Sequence, residues 1–256
     1  MKNADWDDLV NELDAWRKAG LVAAMWWRDD DACKITGALE RLLDLSEEHE
    51  TPLTLAVIPA EADPALPGLL ASRPMISVVQ HGYSHINHAP AGAEKSEFGP
   101  DCSPGRTHNM MLAELKEGHR LMGRFADSAP VLAPPWNRID PALPASLPGI
   151  GIKGVSCYGP RASARPAPGL RCVNAHADLI AWRDGRRFTG AGEALSLIIG
   201  HLSARRAGLV DADEPTGLLT HHLDHDEDLW TFLGDFLHCV RDHPAVRLLS
   251  AREAFQ

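Results

Sequence analysis

Apolar residues at three- and four-residue intervals open the chain. Trp6, Leu9, Val10, Leu13 and Trp16 share one face of a helix expected over 5–19, and Gly20 stops it. The next apolar run, Leu21-Val22-Ala23-Ala24-Met25, has no such period and reads as a buried strand. It closes on Trp26-Trp27-Arg28-Asp29-Asp30-Asp31. A helix over 36–50 carries Leu39, Leu42, Leu43 and Leu45 on one side and Glu40, Arg41, Glu47 and Glu48 on another. The unbroken apolar run from Pro52 to Pro59 has strand length and suits a strand buried on both faces. A short helix over 65–72 and a strand over 76–80 follow, with His81 at the strand's end.

This alternation of strand and helix, with polar residues just past the strand ends, predicts a parallel sheet or barrel. The second half continues it. Residues 90–106 form a loop and candidate lid, with Lys95, Glu97, Arg106 and nearby His108 as its polar groups. Helices are expected over 107–126, 141–147, 192–206 and 226–242, and strands over 131–133, 151–156, 170–173, 216–220 and 246–250. Seven or eight strand candidates with no dividing linker make an α/β fold, a (β/α) barrel in a single domain over 1–256.

The charge pattern narrows the partners. A net charge of −10 over 256 residues argues against a nucleic-acid surface and gives no support for anionic lipid. No run approaches the length of a membrane span, and the polar, acidic start, Met1 to Asp8, does not read as a secretory signal. The five cysteines, Cys33, Cys102, Cys157, Cys172 and Cys239, are odd in number and scattered, which suits free thiols in a reducing, cytoplasmic compartment.

Three carboxylates at one strand end repel each other and resist burial unless a cation joins them. The sequence supplies partners for one in Gln80-His81-Gly82-Tyr83-Ser84-His85-Ile86-Asn87-His88. His81 and His85 are four apart, so on a helical turn both imidazoles reach one ion. Two histidines and one carboxylate, with a position left for water, suit a divalent metal such as Zn2+.

An Asp-Asp pair ending the first strand and a His-x-x-x-His after a later one resemble the polysaccharide deacetylase (NodB-homology) superfamily. The likeness covers five motif regions from residue 28 to about 222. It implies a distorted (β/α) barrel with about seven parallel strands, one divalent metal ion and hydrolysis of N-acyl groups on a sugar or glycan. It also implies roles. Asp30 becomes the general base and Asp31 a metal ligand, with Asp29–Asp30 as the alternative register. His81 and His85 become the other ligands, and His88 stands ready to replace either. Asn87 and His88 alternatively face substrate. Apart from the resemblance, Glu97 of the candidate lid and Asn137 are further substrate-binding candidates. The third motif keeps its prolines and aromatic in Ala133-Pro134-Pro135-Trp136-Asn137-Arg138 but lacks the arginine that orients the base. Arg138 is the first replacement and Arg28 the second, while the Trp136 N–H supplies an oxyanion donor. Asp178 and Trp182 match the fourth motif, and Leu219-Thr220-His221 the fifth, making His221 the general acid with Asp178 as its orienting partner. His222 is a polar neighbour toward substrate, and His225 and Asp226 shape the pocket. His49, His201, His238 and His243 are expected at the surface or as caps. Two other readings stay open: a hydrolase of a non-sugar amide or C–N bond, and a barrel that binds carbohydrate or a partner without turnover.

Overall fold

Strand β1 (Ala23–Ala32) sets the architecture through its alternation. In the computed structural model, which describes residues 4–100 and 105–256, Ala23, Met25 and Trp27 pack outward under the helices. Trp26 turns the other way, into a cluster with Val173, Leu249 and Ala254. The strand is therefore lined by helices on one face and by the barrel interior on the other. Met1 to Asn3 and Cys102 lie outside the described residues.

Helix α1 (Trp6–Lys18) precedes β1 and begins with a reciprocal cap between Asp5 and Asp8. Then come α2 (Gly37–Glu48), β2 (Leu53–Val57), α3 (Leu66–Ala71), β3 (Ile76–His81), α4 (His108–Met122) and β4 (Ser128–Ala133). Short strands β5 (Gly154–Val155), β6 (Arg171–Cys172) and β7 (Ala177–Asp178) follow, then a hairpin of β8 (Ile180–Ala181) and β9 (Arg187–Phe188). The chain ends with α5 (Ala191–Arg206), β10 (Thr216–Thr220), α6 (Glu227–Arg241), β11 (Val246–Leu249) and α7 (Ala251–Ala254).

The parallel strands run in the order β6-β5-β4-β3-β2-β1-β10-β7. β10 takes one edge of β1. The other edge is shared, with β11 along residues 23–26 and β2 along 28–32. The path ends at β6 and β7, which do not pair with each other among the described residues, so the curled sheet is a distorted, incompletely closed (β/α) barrel. Its interior is filled by Trp26, packed edge-on against Phe255 at 5.7 Å, and by small residues such as Ala56, Ala129 and Ala133. Gly217 is required there, because a Cβ would stand 2.6 Å from both the Asn174 carbonyl oxygen and Trp26 Nε1. No described helix is long and apolar enough to cross a membrane.

The expected helices all form, with ends moved by a few residues; 141–147 becomes a 3-10 segment at Pro144–Ile150. The pairs β7, β8 and β9 and the last helix were not anticipated, since two-residue strands and a single helical turn carry no measurable period.

Candidate active site

The carboxyl end of β1 holds an extra residue. Asp29 faces Leu55 and Ala32 faces Val57, so three steps on β1 match two on β2. This bulge, with Asp31 at φ 73°, breaks the alternation. Asp30 follows Trp26 and Arg28 on the interior face, while Asp31 is swung round to the same cavity instead of lying outward beside Asp29.

The three aspartates thereby acquire separate surroundings. Asp29 is fully buried and accepts from the Thr220 hydroxyl at 2.7 Å and from the His222 N–H at 3.0 Å; His222 Nδ1 lies 2.5 Å away. Burial pushes its carboxyl up, and the neighbouring His222 and His225 more than reverse this. Asp30 is gripped by Arg28, Nε to Oδ1 at 2.8 Å and Nη2 to Oδ2 at 3.0 Å. Arg28 is itself 0% exposed and donates to the Ser156 carbonyl, the Ser156 hydroxyl and Asn137 Oδ1 at 3.1, 2.5 and 2.6 Å. Both terminal nitrogens of Arg28 are thus held by hydrogen bonds, while the Nε–Oδ1 approach is an ion-pair contact, and together they keep the Asp30 carboxylate against the guanidinium.

Asp31 meets the histidine pair. Its Oδ1 stands 3.1 Å from Nε2 of His81 and 3.1 Å from Nε2 of His85. Nδ1 of His81 lies 2.9 Å from the Ala133 carbonyl oxygen and must donate to it, which leaves Nε2 with a bare lone pair in the neutral ring. Asp31 Oδ1 is buried without a hydrogen-bond partner. Burial raises the Asp31 carboxyl, but the approach of His81 and His85 holds it well below the usual carboxylate range. An orphaned carboxylate oxygen between two imidazole nitrogens is the donor set a divalent cation of the zinc type takes. These residues fit such an ion.

The His81–His85 loop is held from behind by Glu97. Its carboxylate, 0% exposed, accepts from the N–H groups of Tyr83, Ser84 and His85 at 3.2, 2.8 and 3.1 Å and from the Ser84 hydroxyl at 3.0 Å. Gly82, at φ 59°, allows that approach; a Cβ there would lie 2.1 Å from Glu97 Oε2 and 2.6 Å from the Pro135 ring. Replacing Glu97 with Gln presents an N–H to N–H donors. Metal affinity measured by chelator competition should fall about tenfold or more, whereas an unchanged affinity would mean that the loop does not need this anchor.

A second cluster, His176, His201 and Glu214, lies under the opposite end of the barrel and is unlike the first. The Gly217 N–H donates to His176 Nδ1 at 2.9 Å, so the neutral ring carries its proton on Nε2 and has no lone pair left for a metal. His201 is not at the surface, as its helix position suggested, but 6% exposed and stacked on His176 at 3.4 Å. Burial, with His176 and Arg205 nearby, lowers its pKa to about 2. The unfolded ring takes a proton near 6.5, the folded ring does not, so its contribution to stability is lost as pH falls below 6.5. Thermal unfolding between pH 6.5 and 4 should show a steeper loss in the wild type than in His201→Gln, by up to about 1.4 kcal/mol per pH unit. Equal slopes would contradict this.

Asp31, His81 and His85 open into a cavity of about 1020 Å³. Its far wall carries Asp178 and His221. Asp178 accepts from Trp182 Nε1 at 2.7 Å and from the Ile180 N–H at 3.0 Å, and His221 Nδ1 lies 3.9 Å from it, buried without a hydrogen-bond partner. Burial raises the Asp178 carboxyl despite the neighbouring His221. Trp182 meets the His221 ring edge-on at 4.6 Å. Asn87, Trp136 and Asn137 also line the cavity, the last two with φ of 55° and 56°. His85 has φ 58°, so left-handed backbone at non-glycine residues gathers at this site.

Four expected site residues lie elsewhere. Arg138 pairs with Glu94 at the rim, and Arg28 stands beside Asp30 in its place. Glu97 is behind the histidine loop, not facing substrate. His88 is not on the cavity wall; its N–H donates to the Ser96 carbonyl at 2.8 Å, and burial and Arg106 lower its pKa. His222, 2% exposed, serves Asp29. Of the candidate lid groups, Arg106 pairs with Glu114 and His108 lies 3.1 Å from the Ser146 hydroxyl. Sequence reasoning missed Tyr158, Arg183 and Arg186 on the cavity wall. The Asp184-Gly185 step between apolar residues was the available hairpin signal.

No protein-family model and no curated protein sequence matches the chain. Solved structures do resemble it. A protein from Mycobacterium smegmatis assigned as a polysaccharide deacetylase shares 15% identity at a TM-score of 0.61, over 100% of this chain and 92% of that one. A peptidoglycan N-acetylglucosamine deacetylase, Bc1960, shares 15% at 0.57, over 95% and 96%. A family 4 acetyl xylan esterase from Clostridium thermocellum, in complex with a cobalt ion, shares 13% at 0.53, over 91% and 90%. The chain has the fold of the polysaccharide deacetylases and family 4 carbohydrate esterases.

Proposed function

We propose that the protein is a metal-dependent deacetylase that hydrolyses an N-acyl group on a sugar or glycan. The observation that carries this reading is the meeting of Asp31, His81 and His85 beside an Arg28-braced Asp30, at the mouth of a barrel built like those of known deacetylases. Asp31, His81 and His85 would hold one divalent ion, Zn2+ by the chemistry of the donors. When bound, such an ion supplies Lewis acidity and a water of lowered pKa.

The chain's own groups do the rest. Asp30, locked in orientation by Arg28, accepts the proton of the attacking water. His221 donates a proton to the departing amine nitrogen, and Asp178 at 3.9 Å stabilises the imidazolium before transfer. The Trp136 N–H, presented by a rigid Pro134-Pro135 turn, is the oxyanion donor. Trp182 and Trp136 offer flat apolar faces to a sugar ring. The feature that favoured a barrel without turnover, the missing third-motif arginine, loses its force because Arg28 occupies that role from β1. The thiols of Cys33, Cys157, Cys172 and Cys239 are free, which fits a reducing, cytoplasmic setting.

The test is acetate release from N-acetylated sugars after chelator treatment and again after Zn2+ or Co2+ is restored. Release only in the metal-restored sample supports the proposal. Absence of acetate from a fully metal-loaded protein points instead to another amide or C–N substrate.

A further inference from the structure

We infer that Asp29 is a positioning residue of this site: its carboxylate holds the two residues that flank His221 and so sets the proton donor against Asp30 and the metal ligands. This rests on the deacetylase reading for what Asp30 and His221 do. The mechanism leaves Asp29 without a task, although it adjoins the base and is the most deeply buried of the three aspartates.

The pairing of β1 with β10 ends where Asp29 stands opposite Thr220. Beyond that point no strand pairing fixes one chain on the other, and β1 enters the bulge that presents Asp31. Asp29 takes over there. One of its oxygens accepts from the Thr220 hydroxyl at 2.7 Å and from the His222 N–H at 3.0 Å, and the other lies 2.5 Å from His222 Nδ1. Thr220 Oγ1 in turn accepts from Trp27 Nε1 at 2.8 Å. Trp27, Asp29, Thr220 and His222 are all buried, so the group is closed off from water.

His221 needs such an anchor. Its Nδ1 is buried without a hydrogen-bond partner, Asp178 is 3.9 Å away, and Trp182 meets the ring only edge-on. The ring does not hold its own place, so the backbone has to. The His221 carbonyl accepts from the Asp224 N–H at 2.8 Å, a bond within the same turn that cannot fix it against β1. Because Thr220 and His222 both turn to Asp29, the residue between them faces the cavity. A buried carboxylate is costly unless its donors are in place. Here they are, and what they fix is the strand end that carries the acid.

The experiment compares metal-loaded wild type, Asp29→Ala and Asp29→Asn on N-acetylglucosamine oligomers, with metal content and circular dichroism checked in each. Asp29→Ala should lower kcat about 100-fold and leave KM within about threefold. Asparagine still accepts from Thr220 and the His222 N–H through its oxygen and can donate to His222 Nδ1 through its amide, so Asp29→Asn should regain about tenfold or more of that loss. In a His221→Ala background, Asp29→Ala should cost less than about threefold, because the residue it positions is gone. If Asp29→Ala does not fold, Thr220→Val removes one donor from the same carboxylate at equal size and should cost about tenfold in kcat. An unchanged kcat, an effect confined to KM, an Asp29→Asn as slow as Asp29→Ala, or an undiminished loss in the His221→Ala background overturns the inference. Acetate release by the wild type is scored separately. If metal-loaded wild type releases none from any N-acetylated sugar, the deacetylase reading goes, and a crystal structure of the variant decides the positioning. A His221 ring moved by about 1 Å or more from its place beside Asp178 supports it, and an unmoved ring overturns it.

Discussion

Asp30→Asn is expected to lower turnover about 10³- to 10⁴-fold while leaving the metal content unchanged. Asparagine keeps the size of the side chain and still accepts from Arg28 through one oxygen, so the fold and the Asp31–His81–His85 cluster persist. What disappears is the ability to take a proton from water. Single-turnover rates, with metal measured in the same preparation, check this. Retention of a tenth or more of the wild-type rate would move the base elsewhere, and Asp178 would be the next residue to examine.

Arg28→Met has the second large effect, on stability first. The substitution leaves Asp30 buried at 2% exposure with no cation, and strips donors from Ser156 and Asn137. Breaking one side of such a buried pair costs about 3–5 kcal/mol, so the thermal midpoint should fall by about ten degrees. Arg28→Lys separates charge from geometry. One ammonium cannot meet both Asp30 oxygens together with Ser156 and Asn137, so activity should suffer more than stability. If Arg28→Lys is as active as the wild type, Asp30 needs only a nearby positive charge and not a fixed plane.

How far the sequence led depends on the kind of signal. Helices α1, α2, α4 and α6 were legible because burial on one side imposes a period, and β2 because burial on both sides removes polar positions. The meeting of the β1 terminus with His81 and His85 was legible because each stretch follows a strand of one parallel sheet, and such ends share a rim. The register of Asp29, Asp30 and Asp31 was not, since alternation places Asp29 and Asp31 together and only the bulge at Asp31 separates them. Arg138 was named first and Arg28 second to replace the missing arginine, yet Arg28 sits two residues before Asp30 on the interior face and is the one that reaches it. Glu97 was placed toward substrate as part of the candidate lid and His222 as a polar neighbour of His221. Glu97 instead accepts from the backbone N–H groups of the histidine loop, and the His222 ring pairs with buried Asp29, demands that show only once the chain path is known. His201 looked exposed on a helix whose polar and apolar residues are poorly separated, but that stretch of α5 packs on His176 beneath β10.

Metal analysis of the purified wild type and of Asp31→Ala, His81→Ala and His85→Ala is the most direct test of the central claim. One tightly held divalent ion per wild-type chain, lost in each of the three folded variants, is the expected result. Full metal content in all three, with circular dichroism matching the wild type, would mean that these side chains do not form a metal centre.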